Sequence, residues 1–216
     1  YNYRHVRAGV HDTPRHLATL RTALEAQRGH RLFPQVEPLA TRLLAAAERL
    51  PDLSRLPLRH VHGDLKISNL LFRGASAACL VDLDTLGRMI WPFEMGDALR
   101  SWCNPLGEDV SEARFDAEIF AAALEGYGAV ARPAGLLSRE EALGLVDGVA
   151  TICLELSARF LADALNESYF GWDQKRFASR GEHNLLRARG QFSLFESVHG
   201  QRSRLESVAR AALLGD

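Results

Sequence analysis

The chain is poor in sulfur and has no long apolar run. Its 216 residues include three cysteines and two methionines. Cys79, Cys103 and Cys153 are widely spaced, and none forms a Cys-x-x-Cys pair. That excludes a disulfide framework and a thiolate zinc site, and free thiols in a reducing cytoplasm are the expectation. No apolar stretch approaches the roughly 18–20 residues that cross a bilayer, and the opening residues show no signal-peptide pattern. The formal net charge is −1, so nothing favours nucleic acid or a membrane as a partner. Repeats and low-complexity tracts are absent. What remains is an ordinary globular composition, 47% hydrophobic and 25% charged, of a length that suits one domain.

The informative stretch is residues 58–85. It contains His62-Gly63-Asp64-Leu65-Lys66-Ile67-Ser68-Asn69, two apolar runs at Leu70–Phe72 and Ala78–Val81, and then Asp82-Leu83-Asp84-Thr85. The runs flank Arg73-Gly74-Ala75-Ser76, which predicts a hairpin. A hairpin brings its ends together, so Asp64, Lys66 and Asn69 should meet Asp82 and Asp84. Carboxylates and an amide oxygen are hard ligands of the type Mg²⁺ takes alongside phosphate oxygens. Asp64 is a further carboxylate, able to take a proton from a hydroxyl. The spacing His-x-Asp-x-x-x-x-Asn is that of a kinase catalytic loop, with Asp as base and Asn on the metal. Asp82 stands where a second metal-binding Asp belongs. Asp84 could touch a second metal, bond the acceptor or brace the loop.

These residues resemble the catalytic segment of the aminoglycoside phosphotransferase and choline kinase superfamily, whose fold is protein-kinase-like. Further matches are Val10-His11-Asp12-Thr13-Pro14, Gly96-Asp97-Ala98-Leu99-Arg100 and Glu182-His183-Asn184-Leu185-Leu186-Arg187. They are similar to the branch containing N-acetylhexosamine kinases. The resemblance implies a small-molecule phosphotransferase that uses ATP and Mg²⁺ to phosphorylate a hydroxyl of a sugar or amino sugar. It implies Asp64 as base, Lys66 as a neutraliser of phosphoryl charge, and Asn69, Asp82 and Asp84 at the metal. It also implies Asp97, Arg100, His183, Asn184 and Arg187 at the acceptor, although surface ion pairs would explain these residues equally well.

The expected fold class is α+β and mostly α-helical: the C-terminal lobe of a protein-kinase-like fold with a small β-hairpin at the catalytic site. No glycine-rich loop or Lys-bearing strand precedes the catalytic loop, and a kinase carries both in its nucleotide lobe. The reading is therefore a lobe at 11–216, with 1–10 as the tail of an interlobe linker and little turnover on its own. Helices are expected after Asp12, after Pro34, across 97–100, over Glu108–Gly128, from the capping box at Ser138–Glu141 through Leu165, over Asn184–Val198 and over Arg202–Leu214. Gly87–Phe93 and Tyr169–Gly181 read as loops. His62 is expected beneath the catalytic loop, bonding backbone.

Two rival functions fit parts of the pattern. His60-Val61-His62-Gly63-Asp64 begins like the zinc signature of the metallo-β-lactamase fold, which suggests a metal-dependent hydrolase. That signature continues with His directly after the Asp, where this chain has Leu65, and only His183 and His199 lie downstream. The other rival is a lobe that binds a sugar or partner without catalysis.

Overall fold

A computed structural model describes residues 9–216. The linker assigned to residues 1–10 lies, except for its last two residues, outside the described residues. The helices are α1 (Thr13–Ala26), α2 (Phe33–Ala47), α3 (Trp91–Trp102), α4 (Ala117–Ala131), α5 (Arg139–Leu143), α6 (Leu145–Asn166), α7 (Arg180–Gly200) and α8 (Arg202–Leu214). The strands are β1 (Leu58–Val61), β2 (Leu70–Arg73), β3 (Ser76–Leu80) and β4 (Gly87–Ile90). The fold is α+β and mostly helical, as expected.

The strands form two nested antiparallel pairs. The inner pair is the expected hairpin: β2 on β3, with Leu70 opposite Leu80 and Arg73 opposite Ser76. Gly74 turns it at a φ of +62°, a conformation glycine adopts without steric cost. The outer pair is β1 on β4, with Leu58 opposite Ile90 and Val61 opposite Gly87. Nesting sets the two intervening loops, 62–69 and 81–86, side by side.

Three expectations are corrected here. Gly87–Phe93 is not a loop: its first four residues pair with β1, and Trp91 already begins α3. Glu108–Asp116 is not helical, and α4 starts at Ala117 behind its Asp116 cap. The capping box at Ser138 and Glu141 is present, but the helix it opens breaks at Gly144, dividing α5 from α6. Leu53 and Leu56 side chains lie over that glycine.

The core surrounds α6, whose residues are all buried except Arg159 and Asn166. A helix apolar on all sides belongs in an interior. Its first half packs with α3, α4 and α8 around Phe115, Phe120 and Leu124. Its second half packs with α1, α2 and α7 around Leu20, Leu43 and Phe192. Two polar groups on α6 reach other helices: Ser157 donates to the Ala188 carbonyl at 2.8 Å, and Asp147 forms an ion pair with Arg202 at 2.7 Å.

The crossing of α3 and α6 is close enough to require glycine. A Cβ on Gly148 would lie 2.1 Å from the Pro92 carbonyl oxygen, and one on Gly96 would lie 2.7 Å from that of Gly148. Such contacts do not occur, so either substitution drives the helices apart. Gly148→Ala should cost about 1–3 kcal/mol in urea unfolding. Gly126, in α4, has open space where a Cβ would point, with nothing within 4 Å, so Gly126→Ala should be neutral or stabilise by roughly 0.5–1 kcal/mol. Equal effects of the two substitutions would contradict this packing.

Candidate active site

The first loop, 62–69, begins where β1 ends and is strapped down by α3. Glu94 accepts from the backbone N–H of His62 at 2.8 Å through Oε1 and of Gly63 at 2.9 Å through Oε2. Trp102 Nε1 donates to the Leu65 carbonyl at 2.9 Å, and Ser101 Oγ accepts from the Ile67 N–H at 3.0 Å. These bonds fix a segment that has no ladder of its own. Gly63 has a φ of +84°, and a Cβ there would meet the Thr85 carbonyl oxygen at 2.6 Å.

The second loop is bound to the first at both ends. Val81 N–H donates to the Asn69 carbonyl at 3.0 Å, and His62 Nε2 donates to the Val81 carbonyl at 3.0 Å. Thr85 Oγ1 donates to the His62 carbonyl at 2.8 Å. Between these straps Asp82 is exposed at φ 67°, ψ 62°. This left-handed geometry is rare for a non-glycine residue and more accessible to Asp than to most.

Within the first loop, Asp64 is held by two neighbours. Lys66 Nζ lies 2.5 Å from Asp64 Oδ2. Asn69 Nδ2 donates to the Asp64 carbonyl at 2.8 Å and to Oδ2 at 3.1 Å. Asn69 is buried, and its remaining polar atom is the acceptor oxygen Oδ1.

Asp64 and Lys66 open onto a cavity of about 1080 Å³. Its walls are His11 and the start of α1 (Arg15, His16), α3 (Asp97, Arg100), α6 (Arg159, Phe160, Asp163), the loop after α6 (Tyr169–Asp173), and α7 (His183, Arg187). Acidic and basic side chains are interspersed in the lining. Asp97 and Arg100 are both buried and paired at 2.7 Å, so they form an ion pair and line the cavity at once. Burial pushes the Asp97 carboxyl up, but the charges of Arg100, His11 and Lys66 outweigh it and hold Asp97 below its usual range.

At the far wall, Asp109 gathers α7. His183 Nε2 donates to Asp109 Oδ1 at 2.8 Å and Arg187 Nε to the same oxygen at 2.7 Å. His183 Nδ1 accepts from the Asp173 N–H at 3.1 Å, and Phe177 stacks on the ring. Burial raises the Asp109 carboxyl, and the bonds from Arg187 and His183 bring it below its ordinary value. Asp163 organises the loop after α6, accepting from the N–H groups of Ser168, Tyr169 and Phe170, each at 2.8 Å.

The model of the phosphotransferase enzyme family (APH) matches residues 6–132, more than half of the chain. The chain belongs to that family. The matched span carries the nested strands, both loops and α3, whereas the α6 and α7 walls lie beyond it. No curated protein matches the chain.

Against this family background the expected site residues divide into two groups. Asp64, Lys66, Asp97, Arg100, His183 and Arg187 line the cavity. Asn69, Asp82 and Asp84 do not: they lie at the loop edge, where Asp82 and Asp84 are exposed. Asn184 is buried away from the cavity lining and donates to Asp163 Oδ2 at 2.8 Å, so it braces the loop wall. His62 bonds backbone as expected. Among the described residues no three His, Cys, Asp or Glu side chains gather as metal ligands, and the His60/His62/Asp64 hydrolase arrangement has no support.

Glu94, Asp109, Asp163 and Glu155, whose Oε2 accepts from Thr13 Oγ1 at 2.6 Å, were not singled out by sequence reasoning. Only Glu94 left a local trace, as a lone acid inside Ile90-Trp91-Pro92-Phe93-Glu94-Met95.

Burial raises the Glu94 carboxyl above its ordinary 4.5, against the opposing pull of the Gly63 and His62 amides. A raised acid stabilises the fold below its unfolded value, and that contribution is lost as pH rises through the folded value. Glu94→Gln sets an amide NH₂ against one of the two backbone donors and should cost about 1–3 kcal/mol. The margin between wild type and Glu94→Gln should be largest below pH 4.5 and should narrow as pH rises. Urea titrations of both proteins across pH 4–7 measure it, and a margin that widens with pH would contradict the assignment.

Proposed function

We propose that this phosphotransferase moves the γ-phosphoryl group of ATP to a hydroxyl of a sugar or amino sugar, in the manner of the N-acetylhexosamine kinase branch, and that it acts in the cytoplasm. The observation that carries the reading is the position of Asp64. It stands at the boundary between an open cavity of about 1080 Å³ and an edge that carries the exposed carboxylates Asp82 and Asp84. Lys66 and Asn69 both bond Oδ2, which leaves Oδ1 for the acceptor hydroxyl. Asp64 orients that hydroxyl and takes its proton. Lys66 offsets the negative charge gathering beside it.

The donor set on the loop edge fits a divalent cation. Asn69 spends its NH₂ on Asp64 and keeps an oxygen, Asp82 presents an exposed carboxylate, and Mg²⁺ takes one or two carboxylates beside substrate phosphates. Asn69 and Asp82, with Asp84 as a further candidate, would hold Mg²⁺, which when bound neutralises the nucleotide phosphates. The protein's own part is to keep the acceptor oxygen on the cavity side and the phosphates on the loop side.

The mixed lining supports a neutral or singly charged acceptor. Each acid at Asp97 and Asp109 is already matched by an arginine, so a polycationic aminoglycoside would find few unmatched acids. Asp97, Arg100, His183 and Arg187 are the proposed acceptor contacts, and Asn184 is proposed to act on the pocket through Asp163.

The hairpin supports a second body above it. Leu71, Phe72, Leu80 and Leu83 are 43–54% exposed, an apolar face of the kind that marks an interaction surface. A nucleotide lobe is the proposed occupant, and the 216-residue chain alone is proposed to turn over little. The test is a phosphorylation screen of hexoses and amino sugars with Mg²⁺-ATP, using protein made from the whole genomic reading frame. At least one sugar should be phosphorylated, and Asp64→Ala should lose roughly 10²–10⁴ in kcat. Turnover unaffected by Asp64→Ala, or no acceptor among the sugars, would overturn the proposal.

A further inference from the structure

α6 is buried along its length except at Arg159 and Asn166, and both of these line the cavity. Ile152, Leu156, Arg159, Phe160, Asp163 and Asn166 recur at helical spacing and make its cavity face. The central helix therefore sets one cation in the cavity wall.

Arg159 has an acid one turn away on either side, Glu155 and Asp163, at the spacing where helical ion pairs form. Neither pairs with it. Glu155 turns toward α1, where its Oε1 lies 2.9 Å from His11 Nδ1 and its Oε2 accepts from Thr13 Oγ1 at 2.6 Å. Asp163 has both oxygens engaged. Its Oδ1 accepts from the Ser168 and Tyr169 amides, and its Oδ2 from the Phe170 amide and Asn184 Nδ2, each at 2.8 Å. Among the described residues Arg159 makes no ion pair or hydrogen bond, and residues 1–8 contain no Asp or Glu. Its nitrogens are accessible rather than sealed in packing. Phe170 meets the guanidinium, with Cζ 5.5 Å from the ring centroid. That contact places the group and leaves its charge unmatched.

The other cavity cations differ. Lys66 pairs with Asp64, Arg100 with Asp97 and Arg187 with Asp109. Arg15 has no ion pair among the described residues either, but it is exposed, and water and salt screen it. Burial holds His16 below its ordinary range against the opposing pull of Glu155, and the Arg159 charge lowers it further. A half-buried charge without a partner is unfavourable. The planar fork of a guanidinium matches a carboxylate.

We propose that Arg159 is a specificity-determining residue that binds a carboxylate of the acceptor, and that the acceptor is a sugar acid of the uronic type. The inference rests on the reading of this cavity as the acceptor site. It narrows a neutral or singly charged acceptor to one with a single negative charge. The acceptor is held by Asp64 at its reacting hydroxyl and by α6 at its carboxylate.

The test uses protein made from the whole reading frame, assayed with Mg²⁺-ATP. The substrates are glucose against glucuronate and galactose against galacturonate, pairs that differ only in a CH₂OH or a carboxylate. In wild type, kcat/KM should favour the acid of at least one pair about 10- to 100-fold. In Arg159→Gln that ratio should collapse toward one through a rise in the KM of the acid. Arg159→Lys, which keeps the charge without the fork, should recover part of it. A merely structural role would affect both members of a pair alike and leave the ratio unmoved. Should Arg159→Gln fail to fold, wild type alone decides, and neutral sugars used as well as their acids would overturn the inference. A preference for the acid that persists in Arg159→Gln, with or without a raised KM for ATP, would overturn it too. In each of these cases sugars are phosphorylated and the acceptor-site reading stands. If no sugar, neutral or acidic, is phosphorylated, both fall together.

Discussion

One buried carboxylate sets the geometry of the site. Glu94 receives two successive backbone amides, those of His62 and Gly63, and so determines the direction in which the chain leaves β1. A carboxylate with a donor on each oxygen is a rigid bidentate anchor. Its own position is fixed in turn by the α3–α6 crossing, where Gly96 and Gly148 let the backbones touch. Loop, helix and central strut are therefore one mechanical unit, and Asp64 lies one residue beyond the anchor.

This unit separates two kinds of surface. On the α6 side the loop faces a cavity whose polar groups are placed by long-range contacts: Asp97 by Arg100, His183 and Arg187 by Asp109, and Tyr169 and Phe170 by the amides that Asp163 collects. On the hairpin side it faces outward, with exposed carboxylates at Asp82 and Asp84 and exposed apolar side chains on β2 and β3. Phosphoryl transfer needs such a division, with the acceptor oxygen and the phosphates meeting at one point from opposite sides. Asp64 lines the cavity and bonds Asn69, the residue from which β2 leaves.

The sequence disclosed what is local. Asp64, Lys66 and Asn69 contact one another within six residues, so a linear motif reports their geometry directly. The hairpin, the Asp12 and Ser138 caps and the span of α8 are likewise encoded by neighbouring residues. The failures share the opposite property. β4 exists because Gly87–Ile90 meets β1, nearly thirty residues earlier. Glu108–Asp116 has helix-compatible residues, but Phe115 N–H bonds Ser197 Oγ, Asp116 N–H bonds the Cys103 carbonyl, and Asp109 is drawn to α7. Tertiary partners outweigh propensity there. Glu155 and Asp163 were hidden for a related reason: on a helix buried all round, a polar residue carries no periodic signal that says which wall it serves.

The central claim is that the α3 carboxylate holds the 62–69 loop at the cavity mouth. Residue-resolved amide hydrogen exchange tests it most directly. The His62 and Gly63 amides should exchange slowly in wild type, comparably to the core of α3, and should become fast in Glu94→Gln while α6 stays protected. If these two amides exchange in wild type as fast as those on the exposed edges of β2 and β3, the loop is not anchored as described and the account fails.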